Sequence, residues 1–231
     1  MKKYKTIFTI IVIITLISGL ALRTGNRNPQ TEETQFLFDT MCSITVFEKG
    51  AGDKISVAFD EAAKIHRLTD FFNTDSDVAK INAAQAEVPV AVSRETTEII
   101  AIAQKIKADS KGAFDIALAP VSRLWDFKSE TPQIPDEEQL SDALETVRNS
   151  KITLDVAALT VTKNRSDAKI DLGGIAKGYA ADAAAKTLEE QGVKSAILDF
   201  GGNIVVVGKN PKTKDGKWRI GLQTPFAPTG E

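Results

Sequence analysis

Residues 169–182, KIDLGGIAKGYAAD, decide how the rest of the chain reads. A strand over 168–172 ends at Asp171-Leu172, paired glycines turn the chain, and a helix runs from Ile175 to about Gln191 with Gly192 at its C-cap. The first N–H groups of such a helix have no intrahelical acceptor, so they and the helix dipole face an anion near Gly173, Gly174 and Ile175. Lys177 adds a positive charge one turn in. Gly173 and Gly178 keep the glycine spacing of a phosphate-binding P-loop, but Tyr179-Ala180 stands where Lys-Ser/Thr is required. The ATPase reading fails there, and the G-x-G-x-x-G dinucleotide fingerprint is absent as well. Glycines that merely let a helix pack close to a strand account for the same pattern, and the segment alone leaves both readings open.

Two other segments carry chemistry. In 198–208, LDFGGNIVVVG, Gly201 and Gly202 admit a close backbone approach and Asn203 offers a hydrogen-bonding amide, although a tight turn between two strands explains the same residues. In 112–115, GAFD, a carboxylate sits beside a ring, with Trp125 ten residues on. That set would suit a heterocycle with a polar edge, and equally a core Phe beside a solvated Asp.

Outward from these segments the chain reads as helices mixed with short strands. Residues 36–47 are rich in β-branched and aromatic residues and predict one strand or two with a bend. Apolar residues at 55, 58, 59, 62, 65, 68 and 72 predict an amphipathic helix over 55–72. A second helix is expected over 94–108 with Ser93 as N-cap, and a third over 136–148 after Pro135. Further strands are expected at 151–154, 159–162, 196–200, 204–207 and 218–223, while 112–127 favours neither state. The class is therefore α+β, with mixed, largely antiparallel sheets and packed helices.

The composition is that of a globular chain: 231 residues, 42% hydrophobic, 26% charged, 29 Lys and Arg against 31 Asp and Glu. It argues against a disordered tail, a collagen-like chain and a disulfide-stapled mini-domain, and against a nucleic-acid binder relying on net charge. Cys42 has no partner for an intramolecular disulfide. The amino terminus departs from this average: Lys2, Lys3 and Lys5 precede an apolar run over 7–22 closed by Arg23. Residues 1–23 thus read as a signal peptide or membrane anchor, which places the protein as exported, on the extracytoplasmic face of a membrane. Cys42 lies too far downstream to be a lipidation site, and cleavage of the signal is left open. Without residues 1–23 the chain keeps 25 basic against 31 acidic residues. Residues 24–35 are polar, with Gly25, Asn26, Asn28 and Pro29, and read as a linker to a domain over 36–231.

Taken together and in this order, the segments resemble the FAD:protein FMN transferases, or ApbE-like flavin transferases. FDTMCSITVF at 38–47 looks like the opening strand of that family and SDVAKIN at 76–82 like its Ser-to-Asn element. AFDIALAPVSRLWDF at 113–127 is similar to the Phe-Asp-Pro-Thr segment leading to Leu-Trp-x-Phe. IDLGGIAKGYAAD at 170–182 is close to the signature and is the most specific match, followed by DFGGNIVVVG and WRIGLQTP.

The resemblance implies an ApbE-like fold and Mg²⁺-dependent transfer of FMN from FAD to a threonine of an acceptor protein, with AMP released. Met41 and Phe72 match positions lining the flavin and adenine pockets, and Ala113, Phe114 and Asp115 match a nucleotide-contacting segment. Asp171 and Lys177 match FAD-contacting positions, and Gly174 matches a backbone ligand to Mg²⁺. Cys42-Ser43 stands where the family has Gly-Thr, and Ile116-Ala117 where it has Pro-Thr. Nothing here corresponds to the His-x-x-Asp-Pro-x-x-Gly segment and the later Asp and Thr/Ser that complete the family's metal site, so the fold is expected to be incomplete at the C-terminus. FAD hydrolysis to FMN and AMP, or flavin binding without catalysis, are the alternatives. His66, the single histidine, is expected to be a solvated helix residue.

Overall fold

The computed structural model describes residues 29–222 and 224–226. The signal or anchor read over 1–23 lies outside them. Strand β1 (Thr31–Leu37) and strand β2 (Thr40–Val46) form a hairpin. The expected linker over 24–35 therefore ends early, because 31–35 belong to β1. Its polar TEETQ is the sequence of an edge strand, whose side chains face water while the backbone pairs with β2. The bend expected within 36–47 is the turn at Phe38 and Asp39, both with positive φ (54° and 58°), the backbone of a tight two-residue hairpin.

Helix α1 (Gly52–Thr69) follows, burying Ile55, Phe59, Ala62 and Ile65 on one face. It stops before Phe71 and Phe72, which the sequence pattern had included. Helix α2 (Asp77–Ala83) is capped by Ser76, whose hydroxyl accepts from Ala79 N at 2.9 Å. Strand β3 (Val90–Ala91) leads to helix α3 (Arg94–Asp109), where Ser93 caps as expected, accepting from Thr96 N at 3.1 Å. Residues 116–125 wind through two short 3₁₀ turns around helix α4 (Ala119–Ser122). Helix α5 (Glu137–Asn149) begins with a capping box between Asp136 and Gln139. Strands β4 (Ile152–Asp155) and β5 (Thr160–Lys163), helix α6 (Gly173–Glu190), and strands β6 (Ser195–Phe200) and β7 (Asn203–Gly208) complete the elements.

Sheet A runs β1-β2-β6-β7 and sheet B runs β3-β5-β4, every pair antiparallel. Helices α1 and α6 pack on each other and cover one face of sheet A. Ile44, Val46, Leu198 and Phe200 meet Ile55 and Phe59 there, and the Phe59 and Phe200 rings stack in parallel with centroids 6.2 Å apart. The face of α6 is built from Ala176, Ala180, Ala181, Ala184 and Ala185, side chains short enough to bring the two helices together.

Two expected strands are not found. Residues 168–172 belong to no strand; polar groups of Ile170 and Asp171 go to a side chain and a loop instead. The Asn82 amide donates to Ile170 O at 2.9 Å and accepts from Ile170 N at 2.7 Å, and Asp171 N donates to Ile116 O at 2.8 Å. Of 218–223, the described residues 218–222 form no ladder, and Leu222 is exposed. Trp218 explains the local path: its ring leans on Phe47 and its indole N–H donates to Gly208 O at 2.8 Å.

Candidate functional site

A cleft of about 370 Å³ opens at the end of sheet A where the β1–β2 turn lies, within the size range of small-molecule sites. Its walls are the turn residues Phe38 and Asp39, the loop Asp70-Phe71-Phe72 after α1, residues 122–128, and the start of α6. Fully buried Ile170 and Leu172 anchor the strand-like entry to α6. Asp171 between them turns outward, and its Oδ1 accepts from Gly173 N at 2.8 Å, capping the helix from one residue before the usual position. A Cβ on Gly173 would lie 3.0 Å from Asp171 Oδ1, and one on Gly174 would touch the Phe114 ring at 3.4 Å. Both glycines are helical, so neither serves a left-handed turn; a side chain at 173 would crowd the Asp171 cap, whereas one at 174 would make an ordinary contact. Lys177 Nζ folds back to Gly173 O at 3.0 Å.

Arg123 forms the centre of the cleft. Its Nη2 donates to Asp171 Oδ2 at 2.7 Å. Its guanidinium lies 4.0 Å from the centre of the Phe71 ring and 4.7 Å from that of Phe72, a cation against two rings that meet each other edge-on at 5.4 Å. Its Nε is buried and has no hydrogen-bond partner among the described residues. Lys128 Nζ sits over the other part of the Phe72 surface at 4.1 Å and pairs with Asp39 at 2.8 Å. With Asp171 and Asp39 so engaged, the Lys177 ammonium is the cleft cation that has no carboxylate partner among the described residues. A cleft of aromatic faces, cations and a fresh helix N-terminus suits a ligand with a flat ring and an anionic group.

Of the residues singled out from sequence, Phe72, Asp171 and Lys177 line this cleft. Phe114 and Gly174 are not among its lining residues; Phe114 is half-buried and Gly174 exposed. Met41 is 59% exposed, opposite Phe36 in the β1–β2 register. Ala113 is exposed on the surface. Asp115 turns to a separate hollow of about 40 Å³, where Oδ2 pairs with Lys107 at 2.5 Å and Oδ1 accepts from Ala117 N at 2.9 Å. It caps a 3₁₀ turn, and Trp125 stacks on Phe127 rather than beside it. Gly201 and Gly202 make a tight turn, with φ of +60° and +90°, and Gly202 N donates to Asp199 Oδ1 at 2.8 Å.

Arg123, Phe71, Lys128 and Asp39 carry the cleft but were not singled out from sequence. The available signal was a lone arginine inside the apolar and aromatic ALAPVSRLWDF. His66 is a helix residue as expected, half-buried rather than fully solvated: it lines the cleft and meets Phe38 edge-on at 5.0 Å.

The residues present do not fit a magnesium centre. Among the described residues no three His, Cys, Asp or Glu side chains cluster to hold a metal. Both Asp171 oxygens are taken by Arg123 and Gly173, and the Gly174 carbonyl lies in the first turn of α6.

The sequence profile described as the ApbE family matches residues 38–231. A protein named FAD:protein FMN transferase from Klebsiella pneumoniae (strain 342) is 33% identical over 153 residues, covering 66% of this chain and 46% of its own length. A protein of the same name from Treponema pallidum (strain Nichols) is 26% identical over 247 residues, covering 100% of this chain and 68% of its own. Among solved structures, the ApbE protein from Thermotoga maritima superposes with a TM-score of 0.75 at 28% identity, over 86% of this chain and 64% of that one. The flavin transferase ApbE from Vibrio cholerae shares the fold, with a TM-score of 0.74 at 24% identity over 85% of this chain and 64% of its own. This chain spans about half the length of the Klebsiella relative. The matched profile covers the whole cleft and the fold beneath it, and the chain belongs to the ApbE family.

Proposed function

We propose that this chain provides the FAD-binding part of a flavin transferase that moves FMN from FAD to a threonine of an acceptor protein, releasing AMP. The observation that carries the reading is the start of α6. Asp171 fixes the turn by accepting from Gly173 N, Lys177 lines the cleft one turn further on, and the rings of Phe71 and Phe72 line it too, with the Arg123 guanidinium against both. In this proposal the chain's own residues bind and orient: the aromatic wall takes a flat ring of FAD, and Lys177 and the helix amides take pyrophosphate oxygens. Arg123 holds the Asp171 side chain in place beside them through their ion pair. In this reading the threonine hydroxyl attacks the FMN-side phosphorus, its proton leaves to solvent, and the bond to the AMP oxygen breaks. The family resemblance implies Mg²⁺ for that step, and the described residues make no site for it.

The same proposal places the protein outside the cytoplasm, held at a membrane by its amino terminus, on the strength of Lys2, Lys3 and Lys5 before the apolar run over 7–22. Among the described residues no helix is long and apolar enough to cross a membrane.

The test is a titration of the full chain with FAD, following flavin fluorescence and AMP release by chromatography. Saturable binding that weakens in Lys177→Ala supports the assignment. Absence of binding by a sample with native circular dichroism overturns it.

A further inference from the structure

Sheet A has two ends of opposite character. The β1–β2 turn lines the cleft, and the β6–β7 turn lies at that same end by register. The chain enters the sheet at the other end, at Thr31, level with Val46, Ala196 and Val207. There β7 runs out into residues 209–219, KNPKTKDGKWR, with five basic residues and one acid in a chain whose acids outnumber its bases.

This loop has a fixed shape. Asn210 N donates to Gly216 O at 2.9 Å, Lys212 N donates to Asn210 Oδ1 at 2.9 Å, and Trp218 ties the returning arm to Gly208 and Phe47. Its single acid, Asp215, pairs with Arg219 at 2.7 Å. Lys209, Lys212, Lys214 and Lys217 are all exposed and form no ion pair among the described residues. Lys212 Nζ also lies 4.9 Å over the Phe47 ring, and four ammonium groups without a carboxylate partner on one held loop make a surface for an extended anionic partner.

The sequence indicates which partner. Only residues 23–30 separate the apolar run from Thr31, a reach of about 29 Å at full extension. A run seated in a membrane therefore holds this end of the sheet, and not the cleft end, close to the headgroups. We propose that residues 209–219 dock on anionic lipid headgroups, so that the domain stands on the membrane with its cleft presented at the far end of sheet A. Seven-residue strands set the cleft about 20 Å further from the surface than the loop. The proposal rests on the membrane seat of the amino terminus proposed above and is independent of what the cleft binds.

The experiment reconstitutes the full chain with vesicles of phosphatidylcholine, or of phosphatidylcholine with about one third phosphatidylglycerol, and acetylates lysines with a membrane-impermeant reagent read by peptide mass spectrometry. On anionic vesicles at low salt, Lys209, Lys212, Lys214 and Lys217 should react about fivefold more slowly than on neutral ones, the effect expected for a lysine at an anionic surface. High salt should remove the protection, and exposed Lys105 on α3 should not change. The variant Lys212→Gln/Lys214→Gln, which touches neither core nor cleft, should restore the reactivity of Lys209 and Lys217. Equal reactivity on both vesicle types by protein that pellets with them overturns the docking and leaves the membrane seat standing. Failure to pellet with either overturns both. Protection that requires an added acidic protein and is absent with anionic lipid overturns the lipid assignment in favour of a protein partner.

Discussion

Arg123 Nη2 lies 2.7 Å from Asp171 Oδ2, and this ion pair joins the segment after α4 to the turn that starts α6. Each partner is about a quarter to a third exposed and each makes a second contact in the cleft: Arg123 with the Phe71 and Phe72 rings, Asp171 with Gly173 N. Arg123→Ala should lower FAD affinity about tenfold, since it removes both a charge-assisted hydrogen bond and the cation against the two rings. Arg123→Lys should fall between, keeping charge but losing the planar fork. Fluorescence titration with FAD measures both.

Asn82 imitates a strand neighbour for Ile170, giving and receiving one hydrogen bond each with its backbone. Asn82→Ala leaves a buried N–H and a buried C=O unpaired and should cost about 2–4 kcal/mol of stability. Asn82→Asp keeps the acceptor for Ile170 N and loses the donor, so it should also destabilise. Urea denaturation midpoints distinguish them from wild type.

Lys163 is 1% exposed, and its ammonium is bound by three backbone carbonyls: Asn82 O at 3.0 Å, Ser166 O at 3.0 Å and Ala168 O at 2.9 Å. Burial, helped by nearby Lys169, holds its pKa below the ordinary lysine value. The unfolded chain therefore binds this proton more tightly than the folded one. Stability at constant ionic strength should rise with pH across the window between the lowered folded value and the usual lysine range. Lys163→Met should lose that increment and, by orphaning three carbonyls, should destabilise the protein by about 3 kcal/mol at neutral pH. Denaturation of both proteins from pH 7 upward checks the sign.

Gly208 ends β7 with φ of +59°, and a Cβ there would lie 2.0 Å from the carbonyl oxygen of Lys194. The obstacle is backbone on a paired strand end, which cannot move aside as a side chain does. Gly208→Ala should destabilise by about 2–4 kcal/mol, whereas Gly112→Ala, with φ of +85° but nothing within 4 Å, should cost about 1 kcal/mol. Thermal denaturation of the pair separates collision from backbone strain.

The four long helices were legible because their information is local, while the short α2 and α4 were not read. Apolar spacing and caps are written within a few residues, and α3 begins at Arg94 behind Ser93 as expected. The strand read at 168–172 was misjudged because its partner is not a strand but the side chain of Asn82, 88 positions away. β1 was read as linker because an edge strand carries the same Thr, Glu and Gln as a loop. In the cleft, Asp171 and Lys177 were legible from the turn they flank. Arg123 was not, because its importance comes from Phe71 and Asp171, which only the fold brings beside it. The surroundings of Asp115 were hidden for the same reason: its neighbour in space is Lys107.

The distances along the chain also set an order in time. The entry to α6 is shaped by Asn82, by Ile116 and by Arg123, and Lys163 reaches back across 81 positions to the Asn82 carbonyl. Closing loops of that length is slower than winding a helix, so α1, α3 and α6 should regain their helicity before this turn acquires its shape. During refolding, far-UV circular dichroism should therefore recover ahead of FAD binding, and the lag between them is the time the chain needs to bring Asn82 to Ile170.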